Sequence, residues 1–123
     1  MDSLGLARFT DADLVAELRG RESRSLGGIA KIKRTVCRHF GLTLQVLRGP
    51  ARHQRVAHPR QIAMYLAHRA GHSYPRIGAA FGGRHHTTVL HACRVVEARA
   101  AEDEEVAAAL ALLRVELAKG EAT

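Results

Sequence analysis

A chain of 123 residues suffices for one domain with a single hydrophobic core, and its net charge of +7 favours a polyanionic partner. Between Ser23 and Val96 there is no Asp or Glu, whereas the same stretch holds thirteen Lys or Arg and all eight His. Three Phe, two Tyr and no Trp are too few for a base-stacking platform for single strands. The composition therefore favours duplex DNA as the partner, against the alternative of a solvated basic face without one.

Residues 1–27 are predicted to form an N-terminal arm and linker that stand apart from the main domain. Thr10 to Asp13 is typical of a helix start, and Leu14, Val15 and Leu18 give it a short apolar stripe. A segment rich in Gly and Ser follows, from Gly20 to Gly28. The arm either docks on the domain or serves as an interaction segment, and the sequence favours neither.

Helical periodicity over residues 28–119 predicts an all-α domain of five or six helices, followed by a tail over 120–123. The first helix is expected over Ile29 to Phe40, with its basic residues outward: Lys31, Lys33, Arg34 and Arg38. Thr43 can cap a short helix from Leu44 to Leu47. A basic loop over Arg48 to Arg55 then precedes a long helix that opens at His58-Pro59 and ends at Ala70.

The stretch from Ser73 to Arg94 predicts a short helix, a glycine turn and a second helix. Ser73 or Tyr74 can cap the first of these helices, and Gly82-Gly83 ends it. The second opens with polar residues, and its apolar face consists of Val89, Cys93, Val96 and Ala100. Polar side chains on the first turn of a helix whose far end is buried are typical of a DNA-binding helix-turn-helix.

The chain is predicted to end on one more helix. An acidic break from Ala101 to Glu105 should start it, and it should run from Val106 to Ala118. Cys37 and Cys93 fall on apolar helix faces and are expected to be core residues in a reducing compartment. No signal peptide and no long apolar run is evident, so the protein is expected to be cytoplasmic, associated with the nucleoid, and without a membrane partner.

The stretch Phe81 to Ala92, FGGRHHTTVLHA, resembles the signature FGGRDHTTVLHA of the DNA-binding domain of the bacterial replication initiator DnaA. It departs from that signature once, with His85 in place of Asp. A second segment, Arg55 to Ala67, resembles the long helix of the same domain, in which Arg usually occupies the position of His58. The resemblance covers roughly residues 28–118 and implies a helix-turn-helix fold that binds a short duplex site.

This resemblance also implies a set of contact residues. Major-groove base contacts are expected from His85, His86 and Thr87, and a minor-groove contact from Arg52 in the loop before the long helix. Phosphate contacts are expected from six further residues: Arg55, His58, Arg60, Gln61, Arg84 and Thr88. The alternative is that the threonines serve only the first turn of the helix, and that Arg52 is one more solvated charge.

Other chemistry is not indicated. His68 and His72 are four residues apart, but Gly71 ends the helix between them, and His86 and His91, five apart, point to different faces. No Cys/His set has the spacing of a structural zinc site, so no metal and no cofactor is expected. There is no carboxylate in the basic stretch to orient a His and no phosphate-binding loop, so neither catalysis nor nucleotide binding is expected.

The favoured function is therefore sequence-specific binding to duplex DNA as a transcriptional regulator. One alternative is a modulator of replication that occupies the initiator's own boxes at the origin. An alternative of another class is a protein-interaction module without specific DNA binding. A protein partner from the transcription or replication machinery could be held by the arm or the last helix.

Overall fold

The computed structural model describes residues 28–122, with side chains from Gly28 to Lys119, and the predicted arm lies outside the described residues. Within them the chain forms six helices and no strand, which confirms the all-α prediction. These are α1 (Ile29–Phe40), α2 (Leu44–Arg48), α3 (Gln54–Arg69), α4 (Tyr74–Ala80), α5 (His86–Glu102) and α6 (Glu104–Ala122). None of the described helices has both the length and the apolar character that crossing a membrane would require.

The core is built around α3 and α5, which pack against each other at the centre of the domain. Their backbones come close enough for Sγ of Cys93 to lie 3.9 Å from the carbonyl oxygen of Met64. Helix α1 covers α3 and α6, while α4 covers α5. Both cysteines are buried free thiols, as expected, and burial, with Glu97 nearby, raises the pKa of Cys93 to about 12.

Lys31 and Lys33 of α1 were expected to face solvent, but both are half-buried. Nζ of Lys31 donates to the carbonyl of Leu117 in α6, and Nζ of Lys33 donates to the carbonyl of Ala80 at the end of α4, each over 2.8 Å. A lysine can pack its alkyl stem on apolar surface and still bring its charge to a carbonyl oxygen. The two lysines therefore fasten α1 to the helices on either side of it.

The long helix α3 begins at Gln54, so the predicted start at His58-Pro59 and the predicted loop end at Arg55 are both wrong. Pro59 lies inside the helix rather than in its first turn, and it removes one backbone hydrogen bond there. Val56 and Pro59 are both buried in this segment. Packing of the extra turn against the core therefore offsets the missing bond, which a rule based on proline position alone cannot anticipate.

The predicted acidic break between the last two helices is much shorter than expected. Helix α5 continues to Glu102, and Asp103 alone, in an extended conformation, separates it from α6. Oδ1 of Asp103 accepts a hydrogen bond from the Glu105 backbone N–H over 2.9 Å. A single capping aspartate is sufficient here because Ala101 and Glu102 are good helix formers.

The turn between α4 and α5 is held by close backbone contacts at two glycines. The Arg84 backbone N–H donates to the Gly78 carbonyl over 2.9 Å, and a Cβ on Gly78 would lie 2.1 Å from the Arg84 carbonyl oxygen. Gly82 has φ +80°, and a Cβ there would lie 2.6 Å from the carbonyl oxygen of Arg48. The turn thus packs directly on α4 and on the end of α2, and both approaches require glycine.

We expect Gly78→Ala to lower the free energy of unfolding by about 3 kcal/mol, the upper range for overpacking, because the added methyl group would overlap backbone atoms. Gly28→Ala is the matched control, since nothing lies within 4 Å of a Cβ at that position. Urea denaturation of both variants measures the difference. Equal stability of the two variants would show that the turn can relax around a side chain.

Candidate nucleic-acid interface

The α4–α5 unit forms in the way the sequence predicts. Oγ of Ser73 accepts from the Arg76 backbone N–H over 3.3 Å, and Pro75 lies in the first turn of α4. The chain then turns through Phe81, which is fully buried, and through Gly82 and Gly83, both with positive φ. The buried Phe81 anchors the turn in the core, so the start of α5 has a fixed position relative to α4.

The first turn of α5 presents four consecutive exposed polar residues: His85, His86, Thr87 and Thr88. The predicted apolar face behind them is confirmed, since Val89, Cys93 and Val96 are buried. His85 is the N-cap of the helix, and its Nδ1 atom accepts from the Thr87 backbone N–H over 3.2 Å. The rings of His85 and His86 pack together with their centroids 4.2 Å apart. The exposed end of α5 is therefore an ordered hydrogen-bonding surface.

A basic cleft of about 520 Å³ adjoins this end of α5. It lies between the α2–α3 loop and the glycine turn, and it contains four arginines and one of the threonines of α5. We call this surface the basic cleft, and its lining residues are Arg48, Gly49, Pro50, Arg52, Arg60, Gly82, Arg84 and Thr88.

Two of these arginines are held by the C-terminal end of α2. Nε of Arg60 donates to the Leu47 carbonyl over 2.8 Å, and its Nη2 donates to the Gly49 carbonyl over 3.0 Å. Nη2 of Arg84 donates to the same Gly49 oxygen over 2.6 Å, and its Nη1 donates to the Arg48 carbonyl over 3.0 Å. Cations at a helix C-terminus stabilise its free carbonyl groups. The two side chains therefore fix the α2–α3 loop against α3 and the glycine turn.

The two guanidinium groups also lie close enough to repel each other. Burial and the neighbouring Arg84 lower the pKa of Arg60, and burial lowers the pKa of Arg84. Arginine nevertheless stays charged in proteins, so the repulsion persists in the folded domain. An anion in the basic cleft would relieve it, which makes the cleft suitable for a phosphate group.

Of the predicted contact residues, the structure gathers seven around the basic cleft and the start of α5. Arg52 is exposed on the loop. Arg60 is only 7% exposed, and its guanidinium mainly binds carbonyl groups at the C-terminal end of α2. The members of this group are Arg52, Arg60, Arg84, His85, His86, Thr87 and Thr88.

Three other predicted contact residues do not line the basic cleft. Arg55 is exposed beside Phe40 and Leu42, on a separate shallow groove. His58 packs its ring on Phe40, with centroids 6.4 Å apart, and Gln61 is half-buried on α3. Their phosphate contacts stay a prediction that the resemblance implies.

Sequence reasoning missed Arg48 as a member of the site. Its side chain is exposed and lines the basic cleft, while its carbonyl accepts from Arg84. The available signal was the position of Arg48 at the end of a helix that the sequence already predicted. Helix ends adjoining a basic loop are places where a further cation can be expected.

Acidic side chains are segregated from the basic cleft. Those with described positions lie on the second half of α5, in the break after it and on α6: Glu97, Glu102, Asp103, Glu104, Glu105 and Glu116. Helix α5 has 17 residues and is therefore about 24 Å long. One end of it carries the exposed His and Thr residues and the other end carries the acids. No cluster of three or more potential metal ligands occurs among the described residues.

Comparisons with known proteins agree with this geometry. A family model described as the bacterial dnaA protein helix-turn-helix matches residues 29–96, more than half of the chain. The chromosomal replication initiator protein DnaA of Methylobacillus flagellatus is 41% identical over 111 residues, which cover 89% of this chain and 23% of that protein.

Proteins of the same name from two other bacteria are similar to the chain over nearly the same region. The one from Sphingopyxis alaskensis is 45% identical and covers 76% of this chain, and the one from Acinetobacter baylyi is 47% identical and covers 81%. The matched regions are 21% and 23% of these two relatives. The chain thus spans less than a quarter of the length of the relatives it matches.

His58, which packs on Phe40, gives a test of stability against pH. Burial is the main cause that lowers the pKa of His58 below the ordinary value of 6.5, with Arg99 acting in the same direction and Asp103 against it. The unfolded chain therefore binds a proton more readily than the folded one, and the free energy of unfolding should fall as the pH drops below about 6.5.

We expect His58→Gln to reduce this dependence of stability on pH, and His53→Gln, at an exposed position, to leave it unchanged. Urea denaturation of the three proteins at a series of pH values from neutral to weakly acidic measures the slopes. Equal slopes for His58→Gln and the unmodified chain would assign the acid sensitivity to other groups.

Proposed function

The chain belongs to the bacterial DnaA helix-turn-helix family, and on that premise we propose that it binds a short site in duplex DNA. The observation that carries the proposal is the position of the basic cleft directly beside the exposed start of α5. Polar side chains on a protruding helix can reach base edges, while neighbouring arginines hold the backbone. No other described surface combines these two features.

The geometry of the cleft suggests how the two grooves would be reached. A phosphate backbone lies between a major groove on one side and a minor groove on the other. With one strand in the basic cleft, His86 and Thr87 on α5 would face the major groove, and Arg52 on the opposing loop would face the minor groove. The minor groove admits single basic side chains of this kind. One docked strand would then position both the major-groove and the minor-groove contacts.

Phosphate contacts would supply most of the affinity and fix the register of the domain on DNA. Arg48, Arg84 and Thr88 line the basic cleft and are suited to this role. Arg60 would act differently from the sequence-based expectation, because its guanidinium is engaged by α2 and is 7% exposed. Its contribution would be to keep the loop that carries Arg52 in place.

Two biological roles are compatible with such binding, and we favour regulation of transcription at sites related to the initiator's box. The second candidate is occupation of those boxes at an origin, and it is favoured by the name of the relatives, chromosomal replication initiator protein. Genome-wide mapping of bound sites separates the roles. Sites upstream of promoters support the first, sites confined to the origin support the second, and absence of discrete sites would instead favour a protein-interaction module.

We expect binding to depend strongly on salt, with log K falling against log salt at a slope of about −5 to −7 if about five to eight phosphates are contacted. The physical reason is the release of counterions by the arginines around the basic cleft. A titration from low to physiological salt measures the slope. A slope near zero would mean that the cleft does not hold the DNA backbone.

We also expect Arg52→Ala to weaken binding to the specific site by ~1–3 kcal/mol and binding to random DNA much less, since a groove contact reports on sequence. Arg38→Ala is the matched control because it removes the same charge from α1, where Arg38 lies 3.8 Å from Glu116. Competition binding with specific and random duplexes measures both effects. If Arg52→Ala lowers the affinity for both duplexes equally, Arg52 contacts only phosphate groups.

A further inference from the structure

The imidazole of His85 is held in one orientation at the start of α5. The Thr87 backbone N–H donates to its Nδ1 atom over 3.2 Å, and Oγ1 of Thr87 lies 2.8 Å from the same nitrogen. A ring nitrogen that accepts from a backbone N–H has no proton of its own. The backbone contact therefore favours the tautomer of the neutral ring that carries its proton on Nε2.

This arrangement determines which hydrogen-bonding group His85 offers to a ligand. His85 is exposed, so the group it offers to a ligand is the Nε2–H donor. The Thr87 hydroxyl lies beside it, with Oγ1 2.8 Å from Nδ1, and a hydroxyl can donate or accept. The His86 ring packs on that of His85 at a centroid distance of 4.2 Å and an interplanar angle of 31°, which restricts rotation of the donor. The start of α5 therefore presents the Nε2–H donor beside a threonine hydroxyl.

We propose that His85 is a specificity-determining residue, and that its Nε2–H selects a base with a hydrogen-bond acceptor at one position of the site. This inference rests on the proposed binding of duplex DNA. Guanine is the preferred base because both N7 and O6 accept in the major groove, whereas the exposed N4 group of cytosine only donates. His85 thus distinguishes guanine from cytosine at the position it faces.

A carboxylate at the same position would have the opposite preference. An aspartate can cap the helix with one oxygen and present the other as an acceptor, which suits the amino group of cytosine or adenine. The related signature carries Asp here. The change to His therefore replaces a hydrogen-bond acceptor with a donor, while the side chain still caps the helix. The preferred site should accordingly differ from that of an Asp-containing domain at this one position.

The test compares the full chain with two variants of nearly identical shape, His85→Asp and His85→Asn. Both replacements are good N-caps, but the exposed atom is an acceptor in Asp and an amide donor in Asn. Thermal unfolding checks that each variant is folded. Selection from randomised duplexes, followed by competition binding on the enriched site and its single-base variants, gives the preferred base at each position.

We expect the unmodified chain and His85→Asn to prefer guanine at one position, with His85→Asn weaker because its side chain is shorter. His85→Asp should prefer cytosine or adenine there, with a change in relative affinity of about five- to tenfold, the lower range for base discrimination. If all three proteins enrich the same site with the same stringency, His85 does not set specificity, although sequence-specific binding stands. If the unmodified chain enriches no site, the proposed function fails, and this inference fails with it.

Discussion

The convergence of Arg60 and Arg84 on the end of α2 is the interaction on which the proposed DNA-binding surface depends. The two guanidinium groups come from α3 and from the glycine turn, and both donate to the carbonyl oxygen of Gly49. This oxygen thereby ties three parts of the chain together at one point. Together with the contacts to the Leu47 and Arg48 carbonyls, it fixes the loop carrying Arg52 relative to α5. The same hydrogen bonds that satisfy the C-terminal carbonyl groups of α2 thus also shape the surface that we propose contacts DNA.

Two glycines contribute to the same junction, because they have no side chain that would keep the neighbouring backbones apart. Gly82 allows the turn to lie against the Arg48 carbonyl, and Gly78 allows the chain after the turn to lie against α4. Both contacts are between backbone groups, so they position the start of α5 more rigidly than side-chain packing would. Precision at this point matters because base edges are distinguished by single hydrogen bonds.

Much of this fold could be predicted from the sequence, because the helices carry strong periodicity and recognisable caps. Thr43 and Ser73 cap the helices they were expected to cap, and the predicted apolar residues Val89, Cys93 and Val96 of α5 are buried. What could not be predicted depends on contacts distant in sequence. The burial of Arg60 and the carbonyl contact of Lys33 exist only because α2 and α4 end where they do. A local pattern identifies a cation but not the carbonyl group that will receive it.

The separation of charge along α5 has a further consequence for the approach to DNA. With acids at one end and the basic cleft at the other, charge is distributed unevenly along α5. In the field of a polyanion such a distribution would produce a torque that turns the proposed DNA-contacting cleft towards it before contact, and association would be faster for it. The acidic side chains at the other end of α5 would be repelled by the same polyanion.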